Sequence, residues 1–188
     1  MKNKKAVGMG IPEIVEVPGS RVEDNALGMT YFDENRITIP AFDDAIAKVG
    51  KKNKGFLRRV AKGFQRYILG HELEVEYAGR PRTEEDHARL EARMLYRMRE
   101  NLYRSPTTAN AFQYASAVTT HYLRGKRDDF RRRVSRYFDV DEEKGFIDSL
   151  LEKASEGLSG AFDVGMERLL GVSEKPLPAY AQAYALED

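Results

Sequence analysis

The stretch Tyr67-Ile-Leu-Gly-His-Glu-Leu-Glu-Val-Glu-Tyr77, YILGHELEVEY, decides how the rest of the chain is read. It closes a longer segment, Phe56–Ala78, in which Leu57, Val60, Ala61, Phe64, Ile68, Leu69 and Leu73 recur at helical spacing. Gly79 suits the end of that helix. His71 and Glu72 therefore stand about two turns before a helix C-terminus. The residue one turn after His71 is Val75, which has no lone pair to offer.

Upstream, Tyr31-Phe32 and Ile37-Thr-Ile39 flank Asp33-Glu-Asn-Arg36, a turn-forming cluster, and Pro40 follows. This is a hairpin signal. Ile14–Val17 alternates weakly and predicts a short strand, after a flexible lead over 1–12. Residues 41–49 predict a short helix and 51–55 a basic loop. Downstream, Thr83 is a good helix N-cap, with Glu84 and Glu85 on the positive end of the dipole. Leu90, Met94, Leu95, Met98 and Leu102 form that helix's apolar stripe, to about Tyr103, where Ser105-Pro106 breaks it. Further helices are predicted over 107–124, 128–138, 141–154 and 161–170. The fold class is α+β, mainly α: a short antiparallel hairpin beside the His71 helix, then a C-terminal helical extension. The expected division is a core over 1–104, the extension over 105–172 and an irregular tail over 173–188.

Composition excludes several functions. The 188 residues carry 31 basic and 30 acidic side chains, so no global field draws the chain to nucleic acid or a membrane surface. There is no cysteine, which removes thiolate metal sites, disulfides and a cysteine nucleophile. No apolar run approaches the roughly 18 residues of a membrane span, and the basic N-terminus lacks a signal-peptide core. A soluble, cytoplasmic protein is expected.

A hairpin, then a helix carrying apolar-apolar-Gly-His-Glu-Leu, then a Glu-rich helix start, resembles the minimal catalytic core of zincin metallopeptidases. The gluzincin type, whose third ligand is a downstream Glu, is the nearest, and the resemblance covers roughly Met29 to Met98. It implies zinc as cofactor, His71 as a ligand and Glu72 as the general base on the metal-bound water. It also implies a third ligand from Glu84 or Glu85, with Glu91 further along, and an auxiliary ligand or donor from His87 or Tyr77. The implied substrate, a peptide or protein segment, would lie along a strand edge formed by Tyr31, Ile37 and Ile39. Val75 stands where the motif has its second His. The resemblance thus implies a metallopeptidase homologue that is degenerate or inactive, or that takes its second ligand from elsewhere.

Read without the resemblance, the same region offers another arrangement. His71 and Glu74 lie at i, i+3; Glu84 and His87 at i, i+3; His87 and Glu91 at i, i+4. Consecutive antiparallel helices with such spacing can build a carboxylate-histidine site for iron, manganese or zinc. His121, among apolar neighbours, is expected to be a hydrogen-bonded core residue.

The alternative function is a non-catalytic helical binding or assembly protein. Its basic segments 51–66 and 124–136 would contact nucleic acid, or meet the acidic stretch Asp139–Glu156. The small residues of Gly157–Met166 suit close packing or a homo-oligomer contact, and the tail Pro176–Tyr184 could dock on a neighbour.

Overall fold

The computed structural model describes residues 10–19, 21–22, 26–124 and 129–172, with the side chains of 124 and 129–131 outside the description. Residues 1–9 of the expected lead over 1–12, and the tail over 173–188, lie outside the described residues. Three strands come first: β1 (Glu13–Pro18), β2 (Met29–Tyr31) and β3 (Arg36–Ala41). Among the described residues, seven α-helices follow: α1 (Asp43–Ala47), α2 (Lys51–Ala78), α3 (Glu84–Arg104), α4 (Thr108–Arg124), α5 (Asp129–Val134), α6 (Val140–Ala154) and α7 (Leu158–Leu169). The class is α+β and mainly α, as expected.

The hairpin forms between β2 and β3, with Asn35 in the left-handed conformation at its turn (φ 48°). The sheet, however, runs β1-β3-β2, because β1 pairs in parallel with the far side of β3. This corrects the expected substrate edge. Ile37 and Ile39 belong to the central strand, at 0% and 4% exposure, so they are core residues; Ile37 is paired on both sides, with Ile14 and Thr30, and Ile39 with Glu16 of β1. Only Tyr31 of the three lies on an outer strand. The parallel pairing of Glu13 with Arg36 leaves no mark on the local alternation of either strand.

Helix α2 begins at Lys51, not Phe56, so the expected basic loop is its first turn. Lysine is a good helix former, and that preference outweighs the weak, solvent-screened repulsion from the helix dipole. One side of α2 buries Phe56, Val60, Phe64, Tyr67 and Ile68. Against it lie Phe42, stacked on Phe64 at 5.3 Å, and Phe112 of α4, edge-on to Phe56 at 6.4 Å. Phe112 meets Phe162 of α7 at 5.7 Å. A single buried cluster therefore runs from Leu27 to Leu170. The boundary expected near 104 separates two helices that share one core.

Gly63 fixes how closely α2 and α4 approach. A Cβ there would lie 2.7 Å from the Phe112 carbonyl oxygen, a backbone atom that cannot swing away. Gly63→Ala is expected to destabilise the fold by about 1–3 kcal/mol through overpacking, despite alanine's better helix propensity. A denaturant midpoint equal to or above the parent's would show that the helices have room to part.

The charge pattern resolves locally. Arg133 pairs with Glu84 at 3.1 Å and Arg136 with Glu85 at 3.6 Å, so the first turn of α3 meets part of the second basic segment. From the acidic stretch, Glu143 holds Arg99 at 2.8 Å and accepts from Tyr114. Among the described residues, no helix is long and apolar enough to cross a membrane.

Candidate metal centre

Helices α2 and α3 are joined only by residues 79–83, so the end of one lies beside the start of the other. Thr83 caps α3 with a full capping box: its hydroxyl accepts from the Asp86 N–H, and the Asp86 carboxylate accepts from the Thr83 N–H. This sets the rotation of α3. His87, one turn in, then faces back toward His71, with ring centroids 5.2 Å apart. Glu91 lies one further turn along, about 40° around the axis from His87, and so projects into the same gap.

Glu91 is the hub. Its Oε1 lies 2.8 Å from His71 Nδ1 and 3.6 Å from His87 Nε2. Its Oε2 accepts at 2.9 Å from Nε2 of His121, on α4. A carboxylate only accepts, so that imidazole nitrogen carries the proton. His121 is 1% exposed, and the Tyr67 hydroxyl, one turn before His71 on α2, lies 3.4 Å from the same nitrogen. Burial pushes the Glu91 carboxyl up, but the His71 and His121 imidazoles outweigh it and hold the group well below the usual carboxylate range.

His71, His87 and Glu91 each offer one donor atom, and all three atoms lie within 4.8 Å of one another. Two donors about 2.05 Å from a tetrahedral zinc ion stand roughly 3.3 Å apart. The observed 2.8 and 3.6 Å straddle that spacing. Two imidazoles and one carboxylate are a set that zinc accepts, and iron or manganese also suit it. Ligation needs an unprotonated nitrogen on each imidazole, so binding would release any proton carried on the ligating atoms. The group can hold a metal ion.

Glu72 closes another side of the same cleft, a space of about 160 Å³ whose remaining wall includes Leu27, Gly28, Tyr67 and Ile68. Thr30 of β2 donates its hydroxyl to Glu72 Oε2 at 2.7 Å. Oε1 remains toward the cleft, 3.9 Å from His71 Nε2. Burial raises the Glu72 carboxyl above its ordinary value; His71 and the Thr30 bond offset part of the rise, and Glu91 adds to it. Gly28 lets β2 come this close: a Cβ there would lie 2.8 Å from Glu72 Oε1 and 2.7 Å from Ile68 Cγ2.

Several expected site residues lie elsewhere. Glu85 is not brought to the cluster. It stands two residues before His87, so it emerges about 160° away around α3 and binds Tyr137 and Arg136. Glu84 goes to Arg133 and Glu74 to Arg97. Tyr77 is 68% exposed and does not line the cleft. Val75 is buried without reaching it. Glu91, rather than Glu85, is the carboxylate at the centre, and its i, i+4 spacing from His87 was the visible signal. That His121 would bond to this carboxylate had no local signal. No family model, no curated protein and no solved structure matches the chain.

Proposed function

We propose that the chain is a metal-dependent hydrolase of the zincin-like kind, acting on a peptide bond, with the second histidine ligand supplied by α3. The observation that carries this is the convergence of His71, His87 and Glu91 beside Glu72 in one cleft. The HExxH motif lacks a second imidazole at position 75; His87 supplies one across the helix pair. The bound ion would polarise a carbonyl and lower the pKa of its water. Glu72 takes and returns the proton at Oε1, since Thr30 occupies Oε2, and its raised affinity for a proton suits that work. His121 acts as a positioning residue, fixing Glu91 through Oε2. Among the described residues, strand β2 pairs with β3 on one side only, and Thr30 ties that strand to Glu72. An extended substrate added along β2 would therefore pass the cleft.

The test is zinc content after chelator-free purification, followed by hydrolysis of a denatured protein substrate. Glu72→Gln is expected to keep stoichiometric zinc and lose turnover by a factor of about 10²–10⁴. Zinc that survives His71→Ala, or no metal uptake at all, would leave the helical scaffold as a binding or assembly protein. Stoichiometric iron in place of zinc would move the chemistry from hydrolysis toward oxygen activation.

A further inference from the structure

A second cavity lies on the other side of α3. It occupies about 620 Å³ between the 79–83 loop, one face of α3 and Tyr137. Arg89 and Arg93 line it; each stands two residues from a metal-centre residue, His87 or Glu91, hence about 160° away around the helix. Arg80 and Arg82 enter from the loop, and Tyr96 and Tyr137 add aromatic walls.

Its charge is unbalanced. Four guanidinium groups face one carboxylate, that of Asp86, which is already committed to the Thr83 cap. The neighbouring acids are engaged too, Glu85 with Tyr137 and Arg136, and Glu84 with Arg133. Arg89 Nε donates to the Tyr137 hydroxyl at 3.1 Å, and its guanidinium lies over that ring. Among the described residues, Arg80, Arg82 and Arg93 have no acidic partner. Gathering several unpaired cations in one concavity costs self-repulsion that an anion would relieve. Arginine's planar fork suits phosphate oxygens two at a time.

We propose that this cavity binds a nucleoside di- or triphosphate. A single phosphate would leave most of the guanidinium groups uncompensated, whereas two or three phosphates match the excess of positive charge. The volume falls in the range of roughly 300–1,000 Å³ typical of small-molecule sites. Past the arginines the wall is Leu90, Ala92 and the two tyrosine rings, which suit the flat face of a base.

The experiment is calorimetric titration of the full chain, stripped of metal with EDTA, against ATP, tripolyphosphate and adenosine. ATP is expected to bind, tripolyphosphate more weakly and adenosine not at all. Arg80 and Arg93 are both exposed, so the Arg80→Ala, Arg93→Ala double variant should keep the parent's circular dichroism while its ATP affinity falls at least about tenfold. His71→Ala should bind ATP as the parent does, which separates this site from the metal centre. ATP affinity unchanged in the double variant would overturn the proposal. So would adenosine binding as tightly as ATP, or a single-stranded RNA ten-mer binding more than about a hundredfold tighter than ATP.

Discussion

Replacing Glu91 with alanine is expected to destabilise the metal-free protein by about 3–5 kcal/mol, because the change removes one partner of a buried charged network and leaves the others in place. Glu91 is 3% exposed and lies beside imidazoles from its own helix and two others: His87 of α3, His71 of α2 and His121 of α4. The His121 N–H, itself 1% exposed, would lose its 2.9 Å carboxylate acceptor and keep the Tyr67 hydroxyl at 3.4 Å, in a place water hardly reaches. For a chain of this size such a loss lowers the melting temperature by roughly 6–20 °C. Glu91→Gln keeps the shape and one acceptor oxygen, so its loss should be smaller, with zinc uptake abolished all the same. The readout is thermal unfolding in EDTA by circular dichroism. A Glu91→Ala protein melting within about 2 °C of the parent would show that the carboxylate anchors nothing, and the hub would have to be abandoned.

How far the centre was legible from sequence follows from the range of each interaction. Helix periodicity and the Thr83 cap are local, and both helices of the site formed with their expected faces inward. Because the α2–α3 loop is short, the meeting of His71 with His87 was also within reach, since little chain separates them. Choosing Glu91 over Glu85 required the rotation of α3, which the i, i+4 spacing indicated and the charge pattern at the helix start obscured. Three other features depend on chain segments far apart in sequence. His121 reaches Glu91 across 30 residues, Thr30 reaches Glu72 across 42, and β1 covers the edge of β3 that had been assigned to substrate. None of these contacts alters the hydrophobic period of its own segment. The arginine cavity belongs to the same class: Arg80, Arg82, Arg89 and Arg93 line one cavity because the fold brings Tyr137, from a distant segment, beside them.

Zinc at about a hundred times its dissociation constant is expected to stabilise the parent by roughly 2.7 kcal/mol, because the ion binds the folded site and not the unfolded chain. This corresponds to a rise of about 5–10 °C in melting temperature. His71→Ala and His87→Ala should each abolish the rise, and the second variant is the more informative. In a conventional HExxH helix both imidazoles come from one face of one helix, and a histidine from the next helix is dispensable. Here position 75 does not line the cleft and His87 does. Adding Val75→His to the His87→Ala protein should therefore fail to recover the zinc-dependent rise, although the new imidazole lies one turn from His71. It should also cost stability, since Val75 is only 8% exposed and the substitution buries a larger, polar ring there. Full recovery of the rise in that double variant would place the ion over α2 alone. The cross-helix set of His71, His87 and Glu91 would then be a hydrogen-bonded core cluster, with Glu91 serving to orient His71 from behind.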